Sequence, residues 1–228
     1  MLAKSAKILN VDSEYAKECE IKALELRKTL PHDGEKYIPF NGCEQKSIAV
    51  FAGKYPFNVI ANDDPKLLPA LIDFIANEKN YGNMYPFGEK MSIWYASWKA
   101  VSFARMGRGD MAYKALKQTF ESVGVFTETF EINENNHSMR PWFSTAAGVF
   151  TAAVNEMIIQ SDSENIYLLP AAPEEFSTIS FKMAVKGGAV VDAVIENNDV
   201  KKLDICFRNG VEYKKFNIYL RGKKIKEL

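Results

Sequence analysis

The sequence predicts a segregated α+β fold, in which a helical part is followed by a smaller part made of strands. Apolar residues recur at helical spacing as far as about residue 160, and beyond that point they alternate with polar residues. The chain has 228 residues, of which 47% are hydrophobic, so it can bury a core in one or two domains. Because helices and strands do not alternate, we expect a helical domain at 1–162 and a β domain at 163–228.

The helical part shows local start and stop signals. The first predicted helix begins at Asp12 or Ser13, and Pro31 follows its end. Pro65 lies in the first turn of another helix. Gly107 is typical of a left-handed helix end, and Asp110 is typical of the cap that starts the next helix. The predicted helices are 13–29, 65–79, 91–106, 110–123 and an apolar segment ending near residue 160, with one or two helical turns at 47–52.

The strands after residue 160 are separated by turn-forming residues such as Pro170, Gly187-Gly188 and Asn209-Gly210. We expect a small antiparallel sheet or sandwich that packs on the helical layer, because a small sheet needs a covered face. The apolar residues expected to make this contact are Ile166, Leu168, Phe181, Val191, Ile205 and Ile218. The predicted strands are 166–169, 178–183, 189–195, 202–207 and 215–220.

Composition excludes several classes of function. Basic and acidic residues both number 29, so bulk charge favours neither nucleic acid nor a membrane surface as partner. A carbohydrate ligand is compatible with this charge balance. Cys19, Cys43 and Cys206 are widely spaced, and with two histidines in the chain we expect no disulfide framework, no metal and no cofactor. The chain has neither a signal-peptide core nor an apolar run of roughly 18 residues, so we expect it to be soluble.

The candidate functional site is a polar segment, residues 127–142, that leads into the apolar helix. Carboxylates, amides, a histidine, an arginine and a tryptophan fall within fifteen residues there, and such groups bind polar ligands. The alternative is a loop whose acids and amides only keep it in water. The candidate catalytic residues are Glu131, Glu134 and Glu128, and the candidate substrate-binding residues are Asn135, Asn136, His137, Arg140 and Trp142.

Trp94 and Trp98 are a second candidate for substrate binding. They lie one turn apart on a single face of the predicted helix 91–106. The aromatic residues of this helix are expected to form core, but an aromatic face is also a surface on which a sugar ring can stack.

Several short motifs follow one another along the chain. They are Gly53 with Tyr55-Pro56 and Asn58, Ser97-Trp98-Lys99, the helix end and start at 104–116, Glu156-Met-Ile-Ile-Gln160-Ser161, Ile166-Tyr-Leu-Leu-Pro170-Ala171, and Lys186-Gly-Gly188 with Val191-Asp192. Their order and spacing resemble glycoside hydrolase family 95, the alpha-L-fucosidase type, over essentially the whole chain.

The resemblance implies part of an (alpha/alpha)6 toroid, the six-hairpin glycosidase architecture, followed by a carboxy-terminal β domain. It implies carbohydrate as the ligand. The chain holds about half the helices of such a toroid, so we expect the carboxy-terminal half of a larger hydrolase. A missing amino-terminal half or a second copy in a homo-oligomer would complete the ring. Loops around one mouth of a toroid lie together, so we expect loops 80–90 and 127–142 at the same end.

Hydrolysis of a glycosidic bond usually needs two carboxyl groups on opposite sides of that bond. The resemblance places the general acid upstream of Met1 and the general base near residues 144–148, where this sequence has no aspartate. Glu131 and Glu134 are therefore the first replacements to test, with Glu128 third. We expect no turnover from the isolated chain.

Two other interpretations remain open. One is a relative that binds sugar without turnover, and the other is a helical interaction module with no sugar ligand. In a half toroid, helix faces that meet the other half would be exposed and apolar, and they would drive self-association. Trp94, Trp98 and Phe103 are the residues predicted for that surface.

Overall fold

A computed structural model describes residues 2–42, 48–78, 91–120, 130–133, 138–141, 143–162, 164–208 and 215–227. Its helices are α1 Leu2–Leu9, α2 Ser13–Lys28, α3 Leu67–Asn77, α4 Ile93–Arg105, α5 Gly109–Thr119 and α6 Ser144–Ile158, with a 3₁₀-helix at Ile48–Phe51. Its strands are β1 Phe130–Asn133, β2 Ser138–Pro141, β3 Ile159–Ser161, β4 Asn165–Leu168, β5 Ile179–Ala184, β6 Ala189–Glu196, β7 Asp199–Phe207, β8 Asn217–Leu220 and β9 Lys223–Glu227. The α+β prediction is confirmed.

The chain divides into two units, Met1–Asn77 and Glu78–Leu228. The boundary that the sequence suggests near residue 162 stays a prediction. Within the part of the chain that the structure describes, no helix is both long enough and apolar enough to cross a membrane.

In the first unit, a small core joins the 3₁₀-helix to α3. The rings of Phe51 and Phe74 meet edge to face with their centroids 5.1 Å apart, and Leu67 and Leu71 are buried with them. The Asp64 carboxylate accepts the backbone N–H of Lys66, which caps the turn leading into α3. The predicted helix near 65–79 and the turns at 47–52 are therefore confirmed.

The first helix, α1, was not predicted. It ends at Leu9, and the next residue, Asn10, has a left-handed backbone with φ +53°. The N–H of Val11 donates to Ala6 O at 3.0 Å and that of Asn10 to Lys7 O at 3.3 Å, the two bonds of a Schellman cap. Asn10 was the signal in the sequence, because asparagine tolerates left-handed backbone better than most residues.

In the second unit, α4 and α5 are joined by a Schellman turn at Gly107. Gly107 has φ +72°, and Arg108 N donates to Phe103 O while Gly107 N donates to Ala104 O. The predicted left-handed helix end is confirmed, and so short a turn makes α4 and α5 antiparallel. The next helix begins at Gly109, one residue earlier than the cap expected at Asp110.

Helices α4 and α6 run parallel. At their first turns, the rings of Trp94 and Phe143 have centroids 6.3 Å apart. At their last turns, Arg105 Nε donates to Glu156 Oε1 at 3.0 Å, and Gln160 Nε2 donates to Ala104 O at 2.7 Å. The chain therefore enters both helices at the same end. Loops 80–90 and most of 127–142 lie outside the described residues, so their shared location stays a prediction.

Phe103 does not belong to an exposed surface, and that prediction is wrong. Its side chain is 1% exposed, because α4 is buried along most of its length by the elements around it. The alanines at positions 96, 100 and 104 are also buried, and small side chains allow neighbouring helices to approach closely. Trp94 and Trp98 are half-buried.

The two sheets of the second unit share one apolar cluster. One sheet has the order β3-β4-β8-β9 and the other β5-β6-β7. All their pairs are antiparallel except the parallel pair β4 and β8. Ile166, Leu168, Val191 and Ile218 are buried in the cluster, and Phe181 and Ile205 are partly buried against it.

The six predicted apolar residues therefore lie in a cluster built mainly from strand residues, against which Ile158 at the end of α6 also packs. That these six residues carry the packing on the helical layer stays a prediction. Two further contacts link the strand region to the helices. The rings of Phe176 and Tyr113 meet edge to face at 5.9 Å, and Gly109 lies close to the backbone of Ala171. Strands β3 and β9 are also absent from the sequence prediction.

Candidate functional site

Four aromatic side chains lie together where α4 and α6 begin, and we call them the aromatic cluster: Trp94, Tyr95, Trp98 and Phe143. The ring of Trp94 is central. Its centroid lies 5.1 Å from that of Tyr95, 5.5 Å from that of Trp98 and 6.3 Å from that of Phe143. All four residues are half-buried, so the cluster packs into the unit and still presents ring surface.

The helical repeat explains how the cluster forms. Trp94 and Trp98 are four residues apart and therefore lie on one face of α4. Phe143 stands immediately before α6, and the parallel arrangement of the two helices brings it to the same end. The sequence predicted the tryptophan pair, whereas Tyr95 and Phe143 were not predicted.

A β-hairpin leads the chain into this end of the unit. Strands β1 and β2 pair antiparallel, and β2 ends at Pro141, two residues before Phe143. Glu131 lies directly opposite Arg140 in the register. The segment 127–142 was expected to be a loop throughout. Its alternation of Phe130 and Ile132 with polar residues was the signal for a strand.

The remaining predicted site residues lie outside the described part of the chain. They are Glu128, Glu134, Asn135, Asn136, His137 and Trp142. Of the hairpin residues predicted to act on a ligand, the structure thus places the backbone positions of Glu131 and Arg140, and it brings these two together.

A buried ionic cluster lies on the same helix and was not predicted. Lys99, the residue after Trp98, is 2% exposed, and Glu78 is 8% exposed. The Nζ atom of Lys99 donates to Glu78 Oε2 at 2.6 Å and to Gln118 Oε1 at 2.7 Å. These bonds join α4 to α5 and fix the position of Glu78. A lysine within a largely apolar helix was the available signal, but the sequence does not show which residues the lysine contacts.

The same helix carries two buried serines. Ser102 Oγ donates to Trp98 O at 2.9 Å. Ser97 Oγ has no hydrogen-bond partner within the residues that the structure describes. A buried hydroxyl without a partner is less stable than one in water, and among the described residues Ser97 is such a group.

The chemistry of this end suits a neutral polar ligand. Aromatic rings offer stacking surface, and a glutamate of β1, Glu131, faces an arginine of β2, Arg140, in the backbone register. Within the described ranges, no group of three or more histidine, cysteine, aspartate or glutamate side chains has a geometry that could hold a metal ion.

Comparison with known proteins adds one relationship. No protein-family profile matches the chain. A curated protein from Arabidopsis thaliana, named alpha-L-fucosidase 2, is 35% identical over 92 residues. The match covers 39% of this chain and 11% of that protein, so the chain matches about a tenth of the length of this relative. Over part of its length, this chain is therefore similar to a protein named as an alpha-L-fucosidase.

Proposed function

We propose that this chain is part of a glycoside hydrolase related to the alpha-L-fucosidases of family 95, and that its aromatic cluster and β1–β2 hairpin contact carbohydrate. The observation that carries the proposal is the 35% identity over 92 residues with alpha-L-fucosidase 2. The motif order described from the sequence points to the same family. The six-hairpin toroid belongs to this proposal, since it is the architecture that the resemblance implies.

The geometry supports this choice of site. Helices α4 and α6 begin at the same end, and the chain enters α6 through a hairpin with Glu131 and Arg140 at facing positions. A sugar ring has an apolar face that can stack on indole, and its hydroxyl groups accept and donate hydrogen bonds. Trp94 and Trp98 would supply the stacking surface. The polar hairpin residues would supply the hydrogen bonds.

We further propose that the isolated chain binds carbohydrate without hydrolysing it. Hydrolysis needs one protonated and one ionised carboxyl group on opposite sides of the bond. Glu131 is the first candidate for the ionised group, with Glu134 and Glu128 after it. The first turn of α6 begins Ser144-Thr-Ala-Ala and contains no aspartate. In this proposal the general acid comes from outside the 228 residues.

The test is a titration of the purified chain with L-fucose and with neutral oligosaccharides, followed by tryptophan fluorescence. We expect Trp94→Ala to weaken saccharide binding about tenfold, because it removes the central ring of the aromatic cluster. Phe120→Ala is the matched control. Phe120 is an exposed aromatic residue of the same unit outside the cluster, and its loss is expected to leave binding unchanged.

Turnover is measured in parallel on aryl glycosides that include the alpha-L-fucoside. Release of the aryl group faster than by a Glu131→Gln, Glu134→Gln double variant would overturn the proposed inactivity. The absence of saccharide binding by a folded chain would overturn the carbohydrate function and favour the helical interaction module. The molar mass in solution tests whether two copies assemble, as the homo-oligomer interpretation requires.

A further inference from the structure

The helical hairpin α1–α2 of the first unit exposes apolar side chains along most of its length. Its two helices are joined by the Lys7–Glu20 salt bridge at 2.6 Å, and of the sixteen residues of α2 only Ala16 is buried. A helix in a protein gains most of its stability by packing an apolar face, so α2 has surface that a partner can cover. The exposed large apolar residues of the hairpin are Leu2, Ile8, Leu9, Val11, Tyr15, Ile21, Leu24 and Leu26.

Helical spacing sorts the exposed residues of α2 into two stripes on opposite sides of the helix. In each stripe the residues are spaced by four, three and four positions, which keeps them on one side. Exposure does not distinguish the stripes, because the large apolar residues of both are 53% to 60% exposed. The Tyr15 stripe consists of Tyr15, Cys19, Lys22 and Leu26, and the opposite stripe consists of Lys17, Ile21, Leu24 and Lys28.

The charges of the two stripes decide which of them can pair with a second copy of the chain. A spacing of four, three and four reads the same from either end, so each stripe can face its own copy antiparallel about a two-fold axis. In the Tyr15 stripe, this pairing places Tyr15 opposite Leu26 of the second copy. In the opposite stripe it places Lys17 against Lys28, and two ammonium groups repel each other. Of the two stripes, only the Tyr15 stripe is therefore complementary to itself.

Lys22 has a counter-charge in the same arrangement. Glu18 is exposed and borders the Tyr15 stripe, and antiparallel pairing brings it beside Lys22 of the second copy. Within its own chain, Lys22 Nζ lies 3.2 Å from Glu25 Oε2, and both side chains are more than half exposed, so the ammonium group is accessible to a second carboxylate. The two-fold axis makes the Glu18–Lys22 contact occur twice.

We propose that the chain forms a two-fold symmetric dimer in which the Tyr15 stripe of α2 packs antiparallel on the Tyr15 stripe of a second copy. Tyr15 of one copy packs against Leu26 of the other, and Glu18 of one pairs with Lys22 of the other. The dimer is independent of the proposed glycosidase relationship, and its interface contains no residue of the aromatic cluster. An anionic membrane surface fits the stripe less well, because the carboxylates of Glu18 and Glu25 border it.

The first test is the molar mass of the whole chain in solution, measured by light scattering over a range of concentrations. We expect twice the 25.7 kDa of one chain. Leu26→Asp is expected to raise the dissociation constant of the dimer at least about a hundredfold, because the symmetric interface would bury the new charge twice. Leu24→Asp is the matched control. Leu24 is equally exposed on the same helix but belongs to the opposite stripe, so the molar mass should stay unchanged.

An exchange of charges tests whether the partner is a second copy. Lys22→Glu sets like charges against each other at both Glu18–Lys22 contacts, and we expect it to raise the dissociation constant about tenfold. Glu18→Lys in the same chain exchanges both signs, so the double variant is expected to dimerise again. Circular dichroism checks that each variant folds. A double variant as weak as Lys22→Glu alone would overturn the pairing of these two positions.

A chemical cross-link locates the interface. In the proposed pairing, the two copies of Cys19 lie near the two-fold axis, within about 10 Å of each other. Cys43→Ser together with Cys206→Ser leaves Cys19 as the one thiol of the chain, and we expect a short bismaleimide to join two such chains. The variant that keeps only Cys206 is the control and should give no cross-linked pair. The reverse result would overturn the proposed interface.

The dimer and the proposed function fail in different ways. A monomeric wild type would overturn the dimer, and so would a dimer that Leu24→Asp weakens as much as Leu26→Asp does. A monomeric wild type that binds vesicles containing phosphatidylglycerol would assign the Tyr15 stripe to a membrane surface instead. In each of these cases, saccharide binding by the chain leaves the proposed function standing, because the aromatic cluster lies in the other unit.

Discussion

Replacement of Lys99 by methionine tests whether the buried ionic cluster holds the second unit together. The substitution keeps the length and apolar stem of the side chain but removes the ammonium group. Lys99 Nζ lies 2.6 Å from Glu78 Oε2 and 2.7 Å from Gln118 Oε1. In Lys99→Met, the Glu78 carboxylate stays buried without that ammonium, and Gln118 loses its link to α4.

The expected loss follows from burial. The side chains of Lys99 and Glu78 are 3% and 11% exposed, so water screens their charges little. Removal of one partner from such a pair costs up to about 5 kcal/mol of unfolding free energy. Lys202→Met is the control in the same unit, because Lys202 pairs with Asp192 and Asp204 at the surface. Exposed pairs contribute little, so we expect its effect to be close to zero.

The assay is urea unfolding followed by circular dichroism, with Lys99→Met, Glu78→Leu and their combination. The combined variant removes both charges, so we expect it to be more stable than the sum of the two single losses predicts. A loss in Lys99→Met no larger than that in Lys202→Met would refute the reasoning. Strict additivity in the combined variant would show that the two side chains do not act as a pair.

Two further predictions concern glycines and pH. Gly109→Ala is expected to lower the unfolding free energy, because its Cβ would lie 2.6 Å from Ala171 O. Gly148→Ala, within α6 and in open space, is expected to raise the unfolding free energy by about 0.5 to 1 kcal/mol. The urea concentration at the midpoint of unfolding is measured for both variants and compared with that of the wild type. Burial raises the pKa of Asp162, but hydrogen bonds from Asn165, the Glu164 N–H and the Tyr167 hydroxyl outweigh it and hold the pKa below the ordinary 3.8. The stability that the ionised Asp162 carboxylate gives to the fold is therefore complete above pH about 4. It is lost as the pH falls through the lower pKa that Asp162 has in the folded protein. Acid titration of Asp162→Asn, followed by circular dichroism, should show a weaker fall in stability below pH about 4 than the wild type, and an equal fall would contradict this.

The sequence predicted features that depend on local chemistry. Gly107 was identified as a helix end because few residues other than glycine adopt a left-handed backbone, and the structure has φ +72° there. The alternation of apolar and polar residues predicted β6, and the predicted last residue lies one position from the observed one. This alternation is visible within the sequence of the strand itself. Asn10 carried the same kind of local signal and was overlooked.

Features that depend on distant partners could not be predicted. Lys99 and Glu78 are 21 residues apart, and no pattern in the intervening sequence indicates that their side chains are in contact. Phe103 was assigned to an exposed face because a half toroid would leave helix faces uncovered, and the sequence does not show how many neighbours surround a helix. The tryptophan pair could be placed on one face, but its proximity to Phe143 depends on the parallel packing of α4 and α6.

The parallel pairing of β4 with β8 has a consequence for the order of events during synthesis. Asn165 and Asn217, which face each other in this pair, are 52 residues apart, whereas β5, β6 and β7 pair only with sequence neighbours. Local hairpins close faster than distant pairings, so the three-stranded sheet can form before β4 pairs with β8. A nascent chain halted before residue 217 would hold a finished hairpin sheet beside an open edge of β4, and that edge is where aggregation on the ribosome would begin.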